Sequence, residues 1–158
     1  MGTYVNPGTE RFRISRNSRF YVDKSMIISL LNDKVESDDR FLCVSRPRRF
    51  GKTMAANMIA AYYTKGADSH DAFKGLNIES DPSYEEYINK YNVLKIDCGE
   101  IYYSKNNGRS FVEEITGFVI PEFRKQFPDL VFPDTCNIAQ AIRTVYEEKK
   151  EQFVIILD

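Results

Sequence analysis

Residues 40–64, RFLCVSRPRRFGKTMAANMIAAYYT, change character twice. RFLCVS is a short apolar run with aromatic and β-branched members, the profile of a buried strand. From Lys52 to Thr64 the chain is rich in Ala and Met, contains no Gly or Pro, and spaces Met54, Met58, Ala61 and Tyr62 along one side, which predicts a helix. Between them lies the basic turn SRPRRFG. A strand that turns directly into a helix is the opening of an α/β arrangement, and it restricts everything that follows.

The remaining segments fit that order. Residues 1–19 are polar and basic around Pro7-Gly8 and read as an irregular basic arm, with residues 20–158 as the domain proper. Asp23 or Ser25 is placed to cap a short helix over about 24–33, whose apolar positions are Met26, Ile27, Leu30 and Leu31. Residues 66–90 read as a connector with helical pieces near 69–73 and 83–90. NVLKIDCG, from residue 92, predicts a second strand. Residues 110–126 predict a helix on Phe111, Ile115, Phe118, Val119 and Phe123, kinked at Pro121. Residues 136–150 predict another on Ile138, Ala141, Ile142 and Val145. FVIILD, residues 153–158, reads as a strand buried on both faces. Together these give an α/β chain with a mostly parallel sheet flanked by helices. Stopping on a central-looking strand is how a fragment ends, so an incomplete N-terminal part of a larger domain is expected.

The basic turn carries chemistry. In a phosphate-binding loop a strand delivers the chain to a tight turn whose backbone N–H groups converge on phosphate oxygens. Gly51 stands where the backbone must approach closely, Lys52 where an ammonium reaches the outer phosphates, and Thr53 where a hydroxyl ligates Mg²⁺. Arg49, Phe50 and Met54 flank them in the same cradle. A bare Gly-Lys-Thr is a weak signal, but this one follows a strand pattern and opens a strong helix, which is the confirming context. Arg46 occupies the place of the usual first glycine, and Pro47 has no N–H to offer. Because a residue before proline is pushed to extended geometry, Arg46 is expected to be extended rather than left-handed. Asp158, closing FVIILD, supplies the carboxylate that such sites place at a strand end to hold the metal's water shell. Asp97 also ends a strand pattern. Asp23 and Lys24 read as a helix cap and its solvated neighbour, and Phe50 as a packing anchor. His70 reads as part of a helix start, and Glu113 and Glu114 as an exposed helix face.

Lys plus Arg total 22 against Asp plus Glu 23, so no bulk field draws the chain to nucleic acid or a membrane. Basic residues still cluster at Arg11, Arg13, Arg16 and Arg19, read as a solvated face, and again from Arg46 to Lys52. Cys43, Cys98 and Cys136 lie too far apart for a zinc pattern and are expected as reduced core thiols. No apolar run approaches the ~20 residues of a membrane span, so the cytoplasm is the expected location.

FYVDKS at 20–25, VSRPRRFGKT at 44–53, AYYTKGADSHDAFKGL at 61–76, YNVLKID at 91–97 and FVIILD at 153–158 together resemble the AAA-ATPase-like family of bacterial and archaeal proteins. The resemblance runs from about residue 20 to 158, and within it the arginine at 46 belongs to the family's form of the loop. It implies a P-loop NTPase-like fold, ATP and Mg²⁺ as cofactors, and Mg-dependent hydrolysis in the full-length parent. By position, Gly51, Lys52 and Thr53 correspond to the Walker A phosphate and metal residues and Asp158 to the Walker B aspartate. Members commonly carry a downstream nuclease-like domain, through which DNA would be a partner. The acid expected after Asp158 is not in this sequence, so the fragment itself is expected to turn over little. In that class of sheet the loop strand and the aspartate strand do not pair directly, so RFLCVS and FVIILD are expected either to leave open edges, covered by another chain or an oligomer, or else to pair as in the other P-loop class. Two alternatives remain open: a nucleic-acid-binding module using Arg46–Lys52, and a phosphotransferase using the same loop.

Overall fold

In the computed structural model, which describes residues 1–104 and 108–158, the chain forms two units, residues 8–90 and residues 1–7 with 91–158. The first is helical: α1 (Glu10–Arg16), α2 (Ile27–Asn32), α3 (Lys52–Tyr63), α4 (His70–Phe73), a 3₁₀ turn Asn77–Ser80 and α5 (Tyr84–Tyr87). Aromatic rings bind it together. Phe12 lies 4.8 Å from Phe73 between centroids, Phe73 5.5 Å from Tyr62, and Tyr62 4.9 Å edge-on to Tyr63. Such pairs add about 0.5–1.5 kcal/mol each beyond the area they bury. The buried Asn32 ties α2 to α3: its amide donates to the Tyr62 and Ser83 hydroxyls and its carbonyl accepts from Tyr63.

Three expectations change in this unit. The stretch 1–19 is not irregular throughout, because α1 forms within it and buries Phe12. Nor is its basic face wholly solvated, because the Arg16 guanidinium donates to the carbonyls of Asp71, Ala72 and Lys74 at the end of α4. Helix α2 has no side-chain cap from Asp23 or Ser25 and starts after Met26. It buries Ile28 and Asn32, while Met26 and Leu30 stay largely exposed. The largest correction is that RFLCVS forms no strand. Its backbone has no ladder to join among the described residues, since the only two strands belong to the other unit and pair with each other. Phe41 is 85% exposed, and Cys43, expected in the core, is exposed too.

The second unit is built on β1 (Asn92–Ile96) with α6 (Cys98–Ser104), α7 (Phe111–Gln126), α8 (Ile138–Lys149) and β2 (Phe153–Leu157). Strands β1 and β2 pair in parallel, with Leu94 opposite Ile155. On its other edge β1 receives the N-terminal residues: Asn6 N–H donates to the Val93 carbonyl and Lys95 N–H to the Tyr4 carbonyl. Every residue of β1 is buried, as a strand with partners on both edges should be. Strand β2 has a ladder on one edge only. Its expected burial on both faces is not met, because Ile155 and Leu157 are 53% and 69% exposed. Among the described residues the sheet consists of β1 and β2, and RFLCVS contributes no strand to it. Helices α7 and α8 each start at a capping box, Ser110 with Glu113 and Asn137 with Gln140, which satisfies two orphan N–H groups apiece. Helix α7 continues through Pro121. Its inner face, Ile115, Val119 and Phe123, packs with Ala141 and Val145 of α8 and with Leu94 and Ile96 of β1.

Candidate functional site

The basic turn reaches α3 through Gly51, whose φ of 78° lies in the left-handed region that costs a glycine nothing. Arg46 is not among the residues with positive φ, in keeping with its place before proline. The strained residue is instead Arg49, with φ of 67°, a conformation that costs an L-residue roughly 1–2 kcal/mol.

Glycine leaves α3 without a side-chain cap, and the first amide to close a helical turn is that of Ala55, donating to the Gly51 carbonyl at 3.0 Å. The N–H groups of Lys52, Thr53 and Met54 therefore have no intrahelical acceptor, and among the described residues nothing else accepts from them. The Lys52 ammonium folds back onto the loop, donating to the carbonyls of Arg46 at 2.7 Å and Pro47 at 3.3 Å. Residues 41–50, with Lys52, Thr53 and Met54, are exposed. Among the described residues, Arg46, Arg48, Arg49 and Lys52 form no ion pair. The Thr53 hydroxyl makes no hydrogen bond there either. Four unpaired cations, free amides and an exposed hydroxyl on one turn form a donor set suited to an oxyanion and its metal.

A cleft of ≈ 270 Å³ lies beside the loop, walled by Tyr21, Val22, Met54 and Met58 and reaching Lys24, Phe50 and Gly51. Phe50 is 58% exposed and faces this cleft, so it is not the packing anchor expected of it. Burial, and then the negative charge of Asp23, push the Tyr21 phenol up from its ordinary value, so it stays neutral with its hydroxyl 3.8 Å from the Met58 sulfur.

Lys24 is the residue that local sequence reasoning missed. Its ammonium donates to the Phe50 carbonyl at 3.0 Å, and a Cβ placed on Gly51 would sit 3.6 Å from its Nζ. Asp23 is not a helix cap but a clamp. One carboxylate oxygen accepts from the Ser25 amide and the other from the Asn77 amide, each at 2.8 Å. Burial pushes the Asp23 carboxyl up, but the hydrogen bonds from Asn77 and Ser25 more than offset that, and its pKa lies below the usual value.

Asp158 belongs to the other unit. It extends the β2 ladder, with its N–H donating to Ile96 and its carbonyl accepting from Cys98, both at 2.9 Å. Its Oδ2 is buried and has no hydrogen-bond partner. Asp97, at the end of β1, is already engaged: its Oδ1 accepts from the Glu100 amide at 2.9 Å inside the first turn of α6. Glu113 serves the α7 capping box. Glu114 is only partly exposed, with one carboxylate oxygen buried and unpartnered. His70 opens α4 and lies 3.3 Å from Glu85.

Fold and loop together define a class: an α/β chain whose glycine-opened, basic helix N-terminus is of the kind that receives anions. The profile described as Predicted AAA-ATPase matches residues 7–158, and the chain belongs to that AAA-ATPase-like family. Membership ties it, at a coarse level, to nucleotide binding. Comparisons with curated proteins and with solved structures found no match. Among the described residues, no helix is long and apolar enough to cross a membrane.

Proposed function

We propose that this chain binds a nucleoside triphosphate, ATP, through residues 46–54, with Mg²⁺ as cofactor. The observation that carries the reading is the loop itself: a left-handed Gly51 and, among the described residues, amides at Lys52, Thr53 and Met54 without an acceptor and a Lys52 ammonium held only by the Arg46 and Pro47 carbonyls. In this reading the amides donate to phosphate oxygens and Lys52 exchanges two neutral carbonyls for an anionic oxygen, which makes a hydrogen bond roughly twice as strong. The positive end of α3 adds to the attraction. Arg49 and Phe50 border the phosphates and the base. Thr53 would hold the metal. The metal's contribution is neutralisation of phosphate charge.

The exposed, unpaired guanidiniums of Arg46, Arg48 and Arg49 favour a second reading, in which the same turn contacts nucleic-acid phosphates. Competition separates the two. On the nucleotide reading, ATP or inorganic tripolyphosphate saturates the chain at micromolar to millimolar concentration, and duplex DNA does not displace it at physiological salt. DNA binding with a steep salt dependence and no response to ATP would replace the first reading with the second.

A further inference from the structure

Lys24 lies 26 residues before Phe50 in sequence, yet its ammonium sits against the loop at Phe50 and Gly51. The segment around it is built to put it there. Asp23 accepts from the Asn77 amide, and the fully buried Ser25 hydroxyl accepts from the Ile78 amide at 3.1 Å. Two anchors on one strip of backbone leave Lys24 between them free to extend to the loop. Among the described residues its only hydrogen-bond partner is a neutral carbonyl, and it forms no ion pair there. A neutral donor would staple Phe50 equally well. A fifth cation beside Arg46, Arg48, Arg49 and Lys52 only adds repulsion until an anion arrives. Lys24 lines the same cleft as the apolar Val22 and Met58, and its ammonium lies at the glycine of the loop. That is the junction at which a ligand with an apolar base and an anionic tail changes character.

We propose that Lys24 is a second phosphate-binding lysine of this site: on nucleotide binding its ammonium leaves the Phe50 carbonyl for an oxygen of the polyphosphate. The proposal rests on the nucleotide reading above and adds a residue to it.

The test compares the full chain with Lys24→Gln and Lys24→Arg, titrating each with ATP and with inorganic tripolyphosphate and recording the melting temperature without ligand. Gln keeps a donor for the Phe50 carbonyl and loses the charge, whereas Arg keeps the charge. Expected are an about tenfold or greater loss of affinity for both ligands in Lys24→Gln, shrinking as salt is raised, and recovery of most of it in Lys24→Arg. The ligand-free melting temperature of Lys24→Gln is expected to stay close to that of the unsubstituted chain. If Lys24→Gln binds ATP as tightly as the unsubstituted chain, the lysine is a staple and the proposal falls while the nucleotide reading stands. Equal losses in the Gln and Arg variants overturn it in the same way, including when both lower the melting temperature. If the unsubstituted chain binds neither ATP nor tripolyphosphate, both readings fall together.

Discussion

Replacing Asn32 by Ala tests how α3, the helix that carries the loop, is held. Asn32 is 2% exposed and makes three side-chain hydrogen bonds: donors to Tyr62 at 3.2 Å and Ser83 at 2.7 Å, and an acceptor for Tyr63 at 2.6 Å. Each is worth about 1 kcal/mol net, and the amide leaves a small void among three oxygens that cannot all turn elsewhere. The expected loss is therefore about 2–4 kcal/mol. At roughly 2–4 °C per kcal/mol for a chain of this size, the melting temperature should fall by about 5–15 °C. The chain has ten tyrosines and no tryptophan, so near-ultraviolet tyrosine dichroism through a urea titration reports this transition directly. A double-mutant cycle with Tyr63→Phe sharpens the test. If the Asn32–Tyr63 bond is real, the double variant costs less than the sum of the singles by about 1 kcal/mol. A loss below about 1 kcal/mol for Asn32→Ala, or full additivity in the cycle, would refute the network as the link between α2 and α3.

Asp23 should leave an acid signature. Its folded pKa lies below the unfolded value near ~4, so its contribution is complete above that pH and is lost as pH falls through the folded value. Urea melts from neutral to strongly acid pH should find Asp23→Asn less stable by a constant amount at neutral pH, with the difference closing below about pH 4; a gap that persists in acid contradicts the clamp. Glu122 accepts from the amides of Thr3, Tyr4 and Val5 at 2.8–2.9 Å and so anchors the N-terminal residues beside β1. Glu122→Ala should raise amide exchange at Val5 and Asn6 by about tenfold or more, and unchanged protection there would show that the bridge to β1 holds alone.

The helices were legible where their information is local. The stretch after the turn forms α3 within a residue of its predicted bounds because Ala and Met favour a helix whatever surrounds them. Helices α7 and α8 announce themselves through apolar spacing, and their capping boxes, Ser110 to Glu113 and Asn137 to Gln140, are local signals too. RFLCVS failed for the opposite reason. A strand exists only where other backbone completes its hydrogen bonds, and nothing in six apolar residues says whether a partner is present. The same holds for β2, which pairs as a strand but keeps Ile155 and Leu157 exposed. In the N-terminal stretch, Val5 and Phe12 are buried, but too few apolar residues stand among the arginines to set up a period. At the loop, the turn through Gly51 into a helix starting at Lys52 was readable because it depends on adjacent residues. The placement of Lys24 against the loop was not, since it depends on Asp23 and Ser25 gripping residues 77 and 78, a contact between segments far apart in sequence.

On the proposed function, residues 46–54 bind a nucleotide's phosphates with Lys52 as the principal cation. Calorimetric titration of the chain and of Lys52→Ala with ATP in the presence and absence of Mg²⁺ tests it most directly. Expected is saturable binding that is tighter with Mg²⁺ and weakened about tenfold or more in Lys52→Ala, whose ligand-free stability should be unchanged because, among the described residues, the exposed ammonium bonds only two loop carbonyls. Equal affinity for ATP in the two proteins, or no binding by either, would contradict it.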